Sequence, residues 1–148
     1  MKKQIVSSNV RNAFTLVMLG IVIISSSCSQ KISFQNSSVV PAARGNVTLK
    51  TDKNNNNSIN LTVTDLAESS RLSPAKNAYV VWMVTDQNLT KNIGQLNSDK
   101  SGIANKLKAT FKTVSAFKPT RIFITAENEP DIQYPADQIV LSTDFFNN

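Results

Sequence analysis

The stretch Ala78-Tyr79-Val80-Val81-Trp82-Met83-Val84-Thr85 decides the fold, because it is the longest apolar run outside the N-terminal segment and contains the only Trp. Successive side chains of a strand point to opposite faces, so this run would present two sets of side chains. One set is Tyr79, Val81 and Met83, and the other is Val80, Trp82 and Val84. Both sets are apolar, and the run is short and rich in β-branched residues. We therefore expect a central strand that is buried on both faces.

Weaker strand signals lie on both sides of this central run. In most of them apolar and polar residues alternate, which is typical of a strand with one dry and one wet face. The predicted strands cover residues 46–50, 59–64, 78–85, 93–96, 106–112, 120–127 and 139–142. Turn-forming residues separate nearly all of them, and no segment has a convincing helical period. About seven short strands predict an all-β fold, namely an antiparallel β-sandwich of the immunoglobulin-like type, with a small open barrel as the alternative.

The composition excludes several kinds of catalytic and metal site. The 148 residues fit one domain and include no His and a single Cys. Ser-His-Asp and Cys-His catalysis, His-ligated zinc and an intrachain disulfide are therefore impossible within one chain. No nucleophile motif is present either. We expect a protein that is not an enzyme, with no catalytic residue, no cofactor and no bound metal.

The first 27 residues have the three parts of an export signal. Three basic side chains and no acidic one precede an apolar core at residues 13–24, and the small residues Ser25-Ser26-Ser27 lead to Cys28. A membrane-spanning helix needs about 20 apolar residues, so this core is too short to be one. Small residues directly before the only Cys resemble the lipobox of bacterial lipoproteins, although Ser25 stands where the usual box has Leu.

The lipobox resemblance implies a lipid anchor. In bacterial lipoproteins the thiol of the Cys carries acyl chains such as palmitate and the signal is cut just before it. Cys28 would then be the lipidation site and the first residue of the mature protein. An ordinary cleaved signal peptide and an uncleaved anchor are the alternatives. After the signal peptide (1–27) we expect a flexible tether (28–45), rich in Ser, Asn, Gln and Ala, and then the β-sandwich domain (46–148).

The charge and the anchor together indicate where the domain would work. The chain has a formal net charge of +6, but without residues 1–27 it has 13 basic and 10 acidic side chains. Such a balance is not a nucleic-acid footprint, so we expect no nucleic-acid partner. The partners would be membrane lipid, through acylated Cys28, and a protein of the bacterial cell envelope. In some bacterial lipoproteins an acidic stretch just after the Cys resembles a surface-export signal. No such stretch follows Cys28, which favours a position facing the periplasm.

Several strand motifs resemble those of a known family. They are Ala78-Tyr79-Val80-Val81-Trp82-Met83, then Gly94-Gln95-Leu96, then Ile122-Phe123-Ile124-Thr125-Ala126-Glu127, then Pro135 and Ile139-Val140-Leu141. Their order is similar to that of the extracytoplasmic C-terminal domain of anti-sigma-K factors, over about residues 46–144. The resemblance implies a β-sandwich in the envelope and a sensing or regulatory context. The segment before the apolar core is too short for a sigma-binding domain, so we do not expect sigma-factor sequestration.

These observations favour a membrane-anchored envelope lipoprotein whose β-sandwich is a non-enzymatic binding or regulatory module. The alternative is a structural or adhesive envelope lipoprotein that binds glycan or another surface. A regulator would work through protein–protein contact, whereas an adhesive protein would bind glycan or another surface.

Three groups of residues are candidates for a binding site. Glu127, Glu129, Asp131 and Asp137 surround a proline loop and could be oxygen ligands for Ca²⁺, but their spacing matches no known calcium loop and a solvated acidic loop is the favoured interpretation. Lys106, Lys108, Lys112, Lys118 and Arg121 could bind anionic lipid headgroups or an acidic glycan, or could simply be the solvent face of an edge strand. Tyr79 and Trp82 could line a pocket, but packing in the core is favoured.

Overall fold

The computed structural model describes residues 29–99 and 108–147. In this part of the chain the regular structure consists of β-strands and one short 3₁₀ turn at Ser69–Arg71. The strands are β1 (Ser29–Ser33), β2 (Arg44–Thr51), β3 (Asn57–Thr64), β4 (Ala78–Thr85), β5 (Thr90–Asp99), β6 (Lys108–Ser115), β7 (Pro119–Glu127) and β8 (Ile139–Ser142). The predicted all-β class is confirmed, with eight strands in place of about seven.

The strands form one curled antiparallel sheet in the order β1-β2-β3-β6-β5-β4-β7-β8. Its first half, β2-β3-β6-β5, has the A-B-E-D order of an immunoglobulin-like sandwich, and β4-β7-β8 has the C-F-G order. Strand β1 is an addition at the edge of the first layer. The backbone N–H of Gln35, just after β1, donates to the carbonyl of Ser142 in β8 over 2.8 Å, which brings the two edges of the curled sheet together.

Strand β5 belongs to both layers. It pairs with β4 near its start and with β6 through Asn97–Asp99 near its end. Within the part that pairs with β4 the register shifts, because Gly94 lies opposite Val81 while Asn92 lies opposite Trp82. The extra residue makes a bulge, and Gly94 has a φ of 134°, which side chains rarely allow. The resulting bend lets one strand pass from one layer to the other.

The main core lies between the two layers. It joins alternate residues of β2 and β3 to alternate residues of β4 and β7, as the period of two requires. Its largest fully buried members include Leu49, Ile59, Leu61, Met83, Ile122 and Ile124. The other face of β4 is also buried: Val80 and Trp82 pack with Phe123 of β7, and Ile132 of the β7–β8 connection packs against them. The predicted central strand, apolar on both faces, is therefore confirmed.

The expected flexible tether over residues 28–45 needs correction. Ser29–Ser33 form β1, paired residue by residue with β2, and Val40 and Ala43 are buried in the core. The segment lacks a strong apolar alternation, so the sequence pattern gave no strand signal there. Its order comes from backbone pairing along the edge of β2, which any residue except Pro can provide. The strand predicted at 93–96 is also longer, because β5 extends from Thr90 to Asp99.

The connections gather at two ends of the sandwich. At the end where β1 begins, called here the Ser29 end, lie the turns 52–56, 86–89 and 116–118. At the opposite end lie the β3–β4 connection at 65–77 and the start of the β7–β8 connection at 128–138. In sandwiches of this type the loops at the ends are the usual binding surfaces, because a rigid scaffold holds them.

Candidate functional site

A shallow cleft at the opposite end of the sandwich has a volume of about 380 Å³. Its walls come from the β3–β4 connection, from the first residues of β4 and from β5. The lining residues are Leu66–Ser70, Lys76–Tyr79 and Gln95–Asn97. The lining contains apolar side chains, the hydroxyls of Ser, the amides of Asn and Gln, one acidic side chain and one basic side chain. This composition suits a polar partner that also buries some apolar surface.

Tyr79 is one of the residues that line this cleft. Its ring belongs to the main core, and its hydroxyl donates a hydrogen bond of 2.9 Å to the carbonyl of Ala67 in the cleft wall. Burial raises the pKa of Tyr79 to about 12, since the charged phenolate would lose its hydration. Across the sheet, Tyr79 pairs directly with Leu96. The sequence interpretation of Tyr79 as a core residue is thus correct, and the residue also touches the cleft.

Trp82 is fully buried on the outer face of β4. Its ring stacks on Phe123, with the ring centres 6.2 Å apart and the planes 13° from parallel. Its indole N–H donates to the hydroxyl of Thr125 over 2.8 Å. In immunoglobulin domains the strand-C Trp faces the core between the sheets, whereas here it faces the connection that covers the sheet from outside. The predicted packing role of Trp82 is confirmed.

The hydrogen bond of Trp82 continues into a buried carboxylate. The Thr125 hydroxyl donates to Glu127 Oε1 over 2.5 Å, and the same oxygen accepts the backbone N–H of Ala136 over 2.9 Å. Glu127 is only 3% exposed. The interpretation of the acidic loop as solvated is therefore wrong for Glu127, which faces the same side of β7 as Phe123 and Thr125 and ties the β7–β8 connection to the sheet.

The remaining acidic candidates do not converge. Glu129, Asp131 and Asp137 are exposed along the β7–β8 connection. Within residues 29–99 and 108–147, no three acidic or Cys side chains lie close enough together to hold a metal ion. The arrangement therefore offers no support for the Ca²⁺ alternative at this loop.

Asn92 is a positioning residue that the sequence patterns did not single out. Its side-chain amide donates to the carbonyls of Pro130 and Ile132, over 2.8 and 3.0 Å, and its carbonyl oxygen accepts the N–H of Gly94. It thus joins the bulge of β5 to the β7–β8 connection. A polar residue two positions before a Gly in a short strand is the available signal, because such a pair is common at bulges.

The basic candidates divide between the two layers. Lys108 and Lys112 are exposed on one face of β6, as expected, while Lys118 lies in the turn that follows β6. Arg121 belongs to the other layer, where its guanidinium donates to Ser142 Oγ and lies over the rings of Phe123 and Phe145. The four described cations therefore form no common strip. Lys106 lies outside the described residues.

Cys28 also lies outside the described residues, and β1 begins at the residue that follows it. The described part of the chain contains no helix with the length and apolar character needed to cross a membrane. No protein-family model matches the sequence, and neither a curated protein nor a solved structure shows significant similarity to it.

Proposed function

We propose that the protein is a membrane-anchored envelope lipoprotein whose β-sandwich is a non-enzymatic binding or regulatory module. The observation that carries the binding role is the cleft beside the Tyr79–Leu96 pair, which places mixed polar and apolar surface on the end of the sandwich opposite Ser29. With an anchor at Cys28, this end would point away from the membrane and be open to a protein partner.

The resemblance to the anti-sigma-K C-terminal domain is part of the proposal. Apart from Pro135, which lies in the β7–β8 connection, its motifs lie in β4, β5, β7 and β8, which are neighbours in the order β5-β4-β7-β8. Four motif residues also line the cleft, namely Ala78, Tyr79, Gln95 and Leu96. Because the motifs lie in neighbouring strands and some of their residues line the cleft, they support a binding surface on this layer. They also favour a regulator that contacts another envelope protein.

The anchor can be tested by labelling cells with a clickable palmitate analogue. We expect label on the wild-type protein and on Ser29→Ala, the matched control, and none on Cys28→Ala. Mass spectrometry of the mature N-terminus should find an acylated Cys28 as the first residue. An unlabelled wild-type protein, or a mature protein that starts elsewhere, would refute the lipoprotein assignment.

The binding role can be tested with a photo-cross-linking amino acid in living cells. Placed at Ser70 in the cleft, it should capture a discrete envelope protein, whereas the same amino acid at exposed Val114, on the far layer, should not. Capture of abundant outer-membrane proteins or cell-wall material from both positions would contradict the regulatory role and favour the structural or adhesive alternative.

A further inference from the structure

We propose that the Ser29 end of the sandwich is a docking surface for an anionic lipid bilayer, with the turns 52–56, 86–89 and 116–118 in contact with the headgroups. The inference rests on the proposed anchorage at Cys28 and specifies how the domain would stand on the membrane.

The first argument is distance. Strand β1 begins at Ser29, directly after Cys28, and Ser29 lies opposite Lys50 in β2. One residue of extended chain spans only about 3.3 Å. With no slack between the proposed lipid attachment and the sheet, an acylated Cys28 would bring this end of the domain to the bilayer surface.

The second argument is that the three turns form one continuous surface. The side-chain amide of Asn57 donates to the carbonyl of Phe117, and the N–H of Asp86 donates to the carbonyl of Lys118, over 3.2 and 3.0 Å. A groove of about 420 Å³ lies between the turns. The C-terminal segment reaches the same end, since Gln30 Nε2 donates to the carbonyl of Asn147. Contact with a flat surface at one turn therefore brings the others close to it.

The third argument is charge. The stretches 50–57, 85–91 and 115–118 hold four Lys and two Asp residues. Asp52 accepts the N–H groups of Asn54 and Asn56, so the dipoles of its own turn partly compensate its charge. In the described part of the chain the one ion pair joins Glu68 and Arg71, far from this end, so the four Lys are available to lipid phosphates. Each lysine close to an anionic membrane adds its own attraction to the negatively charged headgroups.

The fourth argument is the apolar surface among these lysines. Leu89 is 48% exposed and Phe117 is 42% exposed, and they lie on the neighbouring β4–β5 and β6–β7 turns. The Nζ of Lys91 lies 4.2 Å from the centre of the Phe117 ring. Exposed aromatic and aliphatic tips surrounded by Lys are the combination that binds the interface of a bilayer, where apolar groups enter the headgroup region and cations meet phosphate.

The test uses the protein purified from the membranes of the cells that express it and reconstituted into vesicles of phosphatidylethanolamine and phosphatidylglycerol. An environment-sensitive fluorescent amino acid is placed at Gln87 in the β4–β5 turn or, as the matched control, at Ser70 at the opposite end. We expect blue-shifted emission at position 87 that brominated phosphatidylglycerol quenches, and neither effect at position 70. Vesicles of phosphatidylcholine alone should give a weaker shift.

Charge reversal distinguishes docking from mere proximity. Each lysine should favour the docked state roughly fivefold, so losing two of them lowers the ratio of docked to undocked protein roughly 25-fold. Lys53→Glu with Lys118→Glu also adds two carboxylates that the anionic lipid repels, so this pair should lower the ratio by more than that. The matched pair Arg44→Glu with Lys108→Glu, at the opposite end of the sandwich, should leave the signal unchanged. Leu89→Ser is a second variant that removes apolar contact without altering charge, and it too should reduce the blue shift.

Water-like, unquenched emission at position 87 would overturn the docking proposal, as would a signal that arises only when a partner protein is added. The mass of Cys28 in the same preparation keeps the two proposals apart. Acylated Cys28 without a shift leaves the lipoprotein assignment standing and refutes docking. A shift with unmodified Cys28 refutes the lipoprotein assignment and supports docking.

Discussion

Trp82 and Glu127 are joined through the hydroxyl of Thr125, which accepts the indole N–H over 2.8 Å and donates to the carboxylate over 2.5 Å. All three side chains are buried on the outer face of the second layer. A hydroxyl can accept and donate at once, so one small residue satisfies two larger polar groups that water cannot reach. The pairing connects the central strand to the connection that covers it.

Thr125→Val should be strongly destabilising although it preserves the shape of the side chain. The change leaves the indole N–H without an acceptor and removes one donor from Glu127, and each unsatisfied buried group costs about 1–3 kcal/mol. We expect the free energy of unfolding to fall by roughly 2–4 kcal/mol, measured by urea denaturation. Thr62→Val, at a half-buried position of β3, is the matched control and should change stability little. Equal losses in the two variants would refute the bridging role.

Glu127→Ala should loosen the β7–β8 connection more than the rest of the domain. The variant removes the acceptor of the Ala136 N–H, so that amide should exchange its hydrogen faster than in the wild type. Amides of β2 and β3, in the other layer, should be affected only through any loss of global stability. Glu129→Ala, which removes an exposed carboxylate from the same connection, should have no such effect. If Ala136 is equally protected in all three proteins, the connection is held by other contacts.

The sequence predicted these elements unequally, for physical reasons. The central strand was predictable because burial on both faces forces an uninterrupted apolar run such as 78–85. Strand β1 was not, because an edge strand held by backbone pairing leaves little mark on side-chain composition. The burial of Glu127 was also unpredictable: its position in β7 determines which face it is on, but only the path of residues 128–138 determines that this face is covered.

Gly94→Ala should destabilise the domain through two separable effects. An added Cβ would lie 2.8 Å from the ring of Phe111, and the φ of 134° disfavours any side chain. Together they should cost about 2–4 kcal/mol in a thermal or urea unfolding experiment. Adding Phe111→Leu to Gly94→Ala relieves only the clash. The double variant should therefore lose less stability than the sum of the losses of the two single variants, but it should remain less stable than Phe111→Leu alone. Full recovery would show that the backbone is not strained, and an unaltered Gly94→Ala protein would place the bulge elsewhere.

Tyr79 should make the stability of the domain fall at alkaline pH. The fold raises its pKa from the ordinary 10.0 to about 12, so the folded state favours the neutral phenol. The unfolded chain releases this proton near pH 10 and the folded chain does so two units later. The stabilisation is therefore complete below pH 10 and is lost as the pH rises through 12, by roughly 2–3 kcal/mol. Urea unfolding at several pH values from about 8 to about 12 measures this loss, because the phenol titrates near pH 10 in the unfolded chain and near pH 12 in the folded chain.

Tyr79→Phe should be less stable than the wild type at neutral pH by about 1 kcal/mol, because it loses the hydrogen bond to Ala67. Its stability should nevertheless fall less steeply above pH 10. Tyr134→Phe removes a phenol that is 81% exposed and should follow the wild-type curve. Parallel curves for Tyr79→Phe and the wild type would show that another group causes the alkaline loss.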